Sequence, residues 1–202
     1  MRRIDDNIVN DSWLQIRGSP PAGADVKDIQ IRPAVEADFE AMREIFDVHV
    51  SSGESYPFAP GTPREECHDY WFNPRVTTFV ALRDNERLLG MYRLTPNQVG
   101  LGAHVANASY MVSPAAQGVG IGMLMGRHSL DEARRQGYLA MQFNYVISTN
   151  IAAVVLWKKL GFAIVGTLPK AFRHARFGYV DAYVMYQLLV DPANWPLEDE
   201  PA

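Results

Sequence analysis

The residues best placed to do chemistry are Gln117-Gly118-Val119-Gly120-Ile121-Gly122, which follow an apolar, strand-like run ending at Val112 and precede a helix-like one. Glycines let a backbone approach a ligand closely and turn successive N–H groups toward it. A helix N-terminus behind them adds positive potential, so the loop suits a phosphate or pyrophosphate. Two common signatures fail on residue type. A P-loop needs Gly-Lys-Ser/Thr, but Met123 follows Gly122; a dinucleotide fingerprint needs a further glycine at 123 or 125, where methionines stand. A tight strand-to-helix turn with no ligand would use the same glycines. A second block, Asn150 to Phe162, places Ala153, Leu156, Trp157 and Leu160 at i, i+3, i+4 and i+7. Asn150 stands in front as a helix cap and Gly161 behind as a stop.

The elements that must position these blocks follow from periodicity. Residues 1–27 show no period and contain Gly18-Ser19-Pro20-Pro21-Ala22-Gly23, so they read as an extension that either docks through Trp13 and Leu14 or stays a free tail. From Asp28 the alternation of Ile29 and Ile31 predicts a strand, and Phe39, Met42, Phe46 and Val50 predict an amphipathic helix. A Gly/Pro-rich loop over 52–63 leads into a helix start at Thr62-Pro63-Arg64-Glu65-Glu66 that runs through Tyr70-Trp71-Phe72. Residues 77–82 and 88–94 read as a hairpin around Asp84-Asn85-Glu86-Arg87, and a third strand covers 105–112. A helix over 118–136 ends on Arg134 and Arg135 before Gly137, a strand covers 138–146, and a last strand pair spans about 162–168 and 180–189. The order β, α, α, β, β, β, α, β, α, β, β mixes antiparallel hairpins with βαβ crossings over one sheet. The expected division is an arm at 1–27, one domain at 28–190 and a tail at 191–202.

Composition narrows the class. The 202 residues are enough for one domain with a sizeable core, since 48% are hydrophobic and 21% charged. No apolar run reaches the length of a membrane span, so no membrane partner is expected. Nineteen basic against 23 acidic residues give a net charge of −4, which lacks the basic excess of a nucleic-acid binder. A single cysteine, Cys67, excludes an internal disulfide, and five scattered histidines offer no ligand spacing for a metal. With acids and asparagines following Arg2 and Arg3, no signal peptide is read and a cytoplasmic location is expected.

With Val112-Ser113-Pro114 before it, the glycine run resembles the Gln/Arg-x-x-Gly-x-Gly/Ala loop of the GNAT acyltransferases. Asn150 to Phe162 is similar to that family's Asn-x-x-Ala-x-x-Leu-Tyr-x-x-x-Gly-Phe helix. The resemblance implies an α/β (α+β) fold: a mixed, mostly antiparallel central sheet of six to seven strands, helices on both faces, and a splay between strands four and five, here 105–112 and 138–146. It implies that the N–H groups of Gln117, Gly118, Val119, Gly120, Ile121 and Gly122 hold the CoA pyrophosphate while pantetheine lies in the splay. Asn150 then hydrogen-bonds the pantetheine arm, a role compatible with capping its helix. N–H groups near Met111 and Val112 polarise the thioester carbonyl, and Trp157 stands beside the cofactor where the family carries an acid tyrosine. Acetyl-CoA is the implied co-substrate, with no metal.

A closer resemblance over about 45–187 is to the small-molecule branch with the fungal azetidine-2-carboxylate (proline-analogue) N-acetyltransferases and, more distantly, the phosphinothricin and methionine sulfoximine enzymes. It rests on Ser52-Gly53-Glu54-Ser55-Tyr56-Pro57, Tyr70-Trp71-Phe72, Asn107-Ala108-Ser109-Tyr110 and Phe143-Asn144-Tyr145-Val146 leading to Thr149-Asn150. Where phosphinothricin-type relatives have a basic glutamate on strand four this chain has Asn107. An amide takes no proton, and the indole at 157 donates none of use. The resemblance therefore implies a site that works by orientation, with Asn107 and Asn144 binding the acceptor's amine or carboxylate and water taking the proton. Tyr110 would share the Asn107 pocket through a bulge on strand four. Phosphinothricin-type relatives hold their substrate's acidic groups with an arginine in the first loop; here that place is near Tyr56-Pro57 and the stretch before Asn107 also lacks one, so phosphinothricin is the poorer fit, and Tyr56, Phe58 and Trp71 either wall a compact acceptor pocket or pack as core. His49, His68 and His128 are expected at surface or packing positions. The block Arg173 to Asp181 resembles a turn in these relatives and is read as structural or interfacial, with Asp181 pairing a basic neighbour. The expected function is acetyl transfer to a small amino or imino acid by a homodimer; acetylation of protein N-termini or lysines, and a non-catalytic CoA sensor, are the competing readings.

Overall fold

Among the described residues, seven strands form one sheet in the order β1-β2-β3-β4-β5-β7-β6, and of these only the β4/β5 pair is parallel. This computed structural model describes residues 28–84 and 87–195. The expected arm, with Trp13 and Leu14, the residues past 195 and the tip of the first hairpin lie outside the described residues. The strands are β1 (Ile29–Pro33), β2 (Thr77–Arg83), β3 (Arg87–Pro96), β4 (Val105–Val112), β5 (Ala140–Ile147), β6 (Ala163–His174) and β7 (Gly178–Leu188). The helices are α1 (Phe39–Ser52), α2 (Arg64–Phe72), α3 (Ile121–Arg135) and α4 (Ile151–Lys159). This is the mixed, mostly antiparallel seven-stranded fold expected from the sequence, in the expected order of elements.

Both faces of the sheet are covered because its strands present apolar residues to both sides. Phe39, Met42, Phe46 and Val50 of α1 and Trp71 of α2 pack with Val80, Met91 and Met111 on one face. Ile121, Met125 and Leu130 of α3 and Val154 and Trp157 of α4 pack with Tyr92, Ala106, Ala108 and Phe143 on the other. α1 stops at Gly53, whose φ of 61° breaks the helix. α2 starts after Pro63 with Glu65 and Glu66 in its first turn, a charge placement that the helix dipole favours.

Two boundaries differ from the periodicity. α3 begins at Ile121, three residues later than expected, because Gly118 and Gly120 take φ of 80° and 90° and a right-handed helix cannot include them. β6 runs to His174, well past 168, by absorbing irregularities between Ile164/Gly166 and Leu168/Phe172. No described helix is long and apolar enough to cross a membrane.

Candidate active site

The site is built around the free edge of β4. β3 and β4 pair in unbroken register, from Gly90 with Val112 to Pro96 with Ala106. Ser113 N–H donates to Leu89, and Asn97 N–H donates to Val105. By the alternation of an antiparallel ladder, the odd-numbered residues of β4 bond to β3, and the even-numbered ones turn N–H and C=O toward β5. β5 meets that edge only at Val105/Ala140 and Ala106/Met141; beyond Ala106 the two strands diverge. The amides of Ala108, Tyr110 and Val112 therefore face the gap. Two of the three carbonyls are occupied: the Tyr56 hydroxyl donates to Tyr110 C=O, and His49 Nε2 donates to Val112 C=O at 2.8 Å. What the edge offers is N–H. The expected donor Met111 is corrected here, because its register partner Met91 takes its N–H and its side chain is fully buried; Tyr110 and Val112 carry the N–H groups that face the gap.

The absence of a bulge on β4 also separates two residues expected together. Asn107 and Ser109 point to the α1/α2 face, whereas Tyr110 points to the α3/α4 face, where its hydroxyl meets Ser129 Oγ at 2.6 Å and its ring lies 4.6 Å from that of Trp157. Tyr110 is thus no wall of the Asn107 cleft. The irregularity sits instead on β5, between Phe143 and Val146 against β7, and it leaves Asn144 exposed. Trp71 is corrected likewise: it is 0% exposed within the α1/α2 core, and its neighbour Tyr70 reaches the cleft. Trp157 is buried among Tyr110, Phe143 and Phe162, a packing position behind the splay.

The cleft on the α1/α2 face is small, about 90 Å³, and is lined by Tyr70, Arg93, Thr95, Asn107, Ala108 and Ser109. Burial holds the Tyr70 and Tyr56 phenols above their usual values, so both remain neutral donors. At the mouth of the splay, Gln142 Nε2 donates to Asn144 Oδ1, and Asn144 Nδ2 donates to Asn97 Oδ1, both at 2.7 Å. Asn144 is thereby fixed with one N–H and one lone pair to spare, separate from the residues lining the Asn107 cleft.

The glycine run takes the shape its residues suggest. Gly118 and Gly120 are left-handed, no atom lies within 4 Å of where a Cβ on Gly118 would stand, and α3 starts directly behind them. Gln117 is exposed, whereas Val119 and Ile121 turn their side chains into the core, leaving the backbone as the accessible surface. Gly122 has a different reason for being glycine, since a Cβ there would lie 3.1 Å from Leu156 of α4. Asn150 caps α4, its Oδ1 accepting from Ala153 N–H at 3.2 Å, while its Nδ2 has no partner among the described residues.

Several residues escaped the sequence reading. His49, expected only to pack, holds the β4 edge, and Arg93, Tyr70, Thr95 and Ser109 line the cleft. The one available signal was a lone charge, Arg93, inside the apolar run Leu88 to Leu94. Asp181 also differs: its carboxylate accepts from the Lys170 backbone N–H and pairs with no basic side chain among the described residues. Its hairpin is tied to the loop carrying Tyr56 by the bond from Ala175 N–H to Gly53 C=O, 2.9 Å.

The sequence pattern of the acetyltransferase (GNAT) family matches residues 39–162. N-acetyltransferase aca1 of Schizosaccharomyces pombe is 31% identical over 151 residues, which are 67% of this chain and 72% of that protein. A GCN5-related N-acetyltransferase from Kribbella flavida superposes with a TM-score of 0.77 at 41% identity, covering 80% of this chain and 98% of that one. The structure of yncA from Salmonella typhimurium, solved with its cofactor acetyl-CoA, gives 0.73 at 25% identity, covering 85% and 99%. A phosphinothricin acetyltransferase from Sinorhizobium meliloti shares the fold, with a TM-score of 0.75 at 20% identity over 85% of this chain and 94% of that one. With a strand edge of outward N–H groups, a left-handed glycine turn at a helix N-terminus and these likenesses, the chain belongs to the acetyltransferase (GNAT) family.

Proposed function

We propose that the protein transfers the acetyl group of acetyl-CoA to the amine of a small amino or imino acid, a proline analogue or related toxic amino acid, by direct attack in a ternary complex. The observation that carries this is the β4 edge, whose inward carbonyls at 110 and 112 are occupied while the neighbouring cleft presents Asn107 and no carboxylate. The residues fit acetyl-CoA: the open, left-handed turn at Gly118 and Gly120 suits a pyrophosphate, and the splay suits an extended arm that Asn150 Nδ2 can reach. The structures of yncA and of the S. meliloti enzyme contain acetyl-CoA.

The donor supplies an activated acyl carbon. The chain's residues supply orientation and charge stabilisation. The N–H groups of Tyr110 and Val112 stabilise charge developing on the thioester oxygen. Asn107 holds the acceptor nitrogen, with Asn144 at the mouth of the splay as a second amide for the acceptor. As the nitrogen–carbon bond forms and the carbon–sulfur bond breaks, the amine proton goes to water and CoA leaves as a thiolate that solvent protonates, since the polar side chains of the cleft are one amide, hydroxyls and one guanidinium. The test is thiol release from acetyl-CoA over azetidine-2-carboxylate, hydroxyprolines, methionine sulfoximine, phosphinothricin, common amino acids, polyamines and peptides. Turnover concentrated on amino or imino acids is expected. Turnover confined to peptides, or acetyl-CoA binding with no turnover at all, would overturn the reading.

A further inference from the structure

Arg93 stands out among the residues lining the cleft. It lies on β3, opposite Ser109 and diagonal to Asn107, on the α1/α2 face. Its Nη1 donates to Tyr70 C=O at 2.7 Å, in the last turn of α2, and its guanidinium carbon sits 4.1 Å from the Tyr70 ring centroid. That contact fixes the plane of the group and uses one of its five N–H donors. Beyond that bond its one side-chain neighbour for hydrogen bonding among the described residues is the Tyr70 phenol of the same wall, and Nε and Nη2 are not among the buried atoms left without a partner. No carboxylate pairs with it among the described residues, and whereas the likewise unpaired Arg75, Arg87, Arg127 and Arg173 are exposed, Arg93 is partly buried in the cleft wall. Burial holds its guanidinium below its usual affinity for protons, the mark of a cation kept partly dry without a counter-ion.

We propose that Arg93 is the carboxylate-binding group of the acceptor site, so that the acceptor is an amino or imino acid with a free carboxylate beside the amine that Asn107 holds. This rests on the acetyl-transfer reading given above. The spacing supports it: diagonal partners on neighbouring strands have Cβ atoms within about 7–8 Å, so two long polar side chains can converge on an amine and a carboxylate separated by one carbon. A guanidinium oriented through Nη1 keeps its Nε/Nη2 edge for a carboxylate in a paired, two-bond geometry, with the neutral Tyr70 phenol beside it. Ser109 and Thr95 add hydroxyls on the same wall.

The test compares azetidine-2-carboxylate with its carboxamide at equal concentrations of free amine, first with the unmodified enzyme. A preference for the acid of about 30-fold or more in kcat/KM is expected, expressed mainly in KM. Arg93→Gln should cut that preference to about threefold or less, and Arg93→Lys should leave an intermediate value, because a point charge cannot reproduce the paired geometry. An unmodified enzyme that treats acid and amide alike overturns the proposal, whatever the variants do. So does an Arg93→Gln enzyme that keeps the preference, or one that loses both acceptors in parallel, which would make Arg93 a strut for α2. Acetylation of peptides alone would remove the acetyl-transfer reading and this proposal together; acetylation of acid and amide at equal rates would remove only this one.

Discussion

A thioester oxygen bound at the edge of β4 would meet the carbonyl dipoles of Tyr110 and Val112 as well as their N–H groups, and the side chains of Tyr56 and His49 engage those carbonyls. In the proposed function Tyr56 is therefore a positioning residue. Its phenol stays neutral because burial raises its pKa well above the usual value, so it remains a donor at every working pH. Replacing Tyr56 with Phe should lower kcat about tenfold, equivalent to about 1.4 kcal/mol of barrier. The same change should lower unfolding free energy by about 1–2 kcal/mol, because the Tyr110 carbonyl loses its donor. Steady-state kinetics and urea titration check both, and a kcat within twofold of the unmodified enzyme would contradict the role. At this scale the sequence was partly legible. Residue type marked the glycines, Asn107 and Asn150, but it could not distinguish Trp71, which packs, from Tyr70, which lines the cleft. Adjacent positions on a short helix differ by about 100° in direction, and only the packing of α2 decides which one faces inward.

At the scale of elements, most of the fold was legible because its strands and helices have clear periods and firm stops. Gly161 is such a stop. It follows the last turn of α4 with φ of 99°, and a Cβ there would fall 2.8 Å from Gln187 Nε2 on β7. Gly161→Ala should destabilise the protein by about 1–2 kcal/mol from backbone strain alone, with a further cost for moving the Gln187 amide. A melting temperature unchanged within a degree would show that the α4–β6 junction absorbs the strain. The register of β3 on β4 was less legible, because strand pairing is set by contacts distant in sequence and a slip of one residue exchanges the two faces. Tyr110 was expected beside Asn107 for a different reason, a strand-four bulge implied by the resemblance, and the unbroken pairing of β4 removes it. The illegible register is why Arg93, fourteen positions before Asn107 in the chain, was not connected with it.

For the molecule as a whole, the proposed function has one strand serve two substrates from its two sides and its edge. The glycine turn leads into α3 on one face, the splay carries the N–H edge, and Asn107 with Arg93 lies on the opposite face under α1 and α2. Donor and acceptor binding are then separable by mutation. The most direct measurement is the calorimetric affinity of Asn107→Ala for acetyl-CoA, set beside its kcat/KM for an imino-acid acceptor. Acetyl-CoA affinity within twofold of the unmodified enzyme is expected, with acceptor kcat/KM lowered about 10- to 100-fold by the loss of a positioning hydrogen bond. An equal fall in both would contradict the account, because Asn107 would then belong to the donor side.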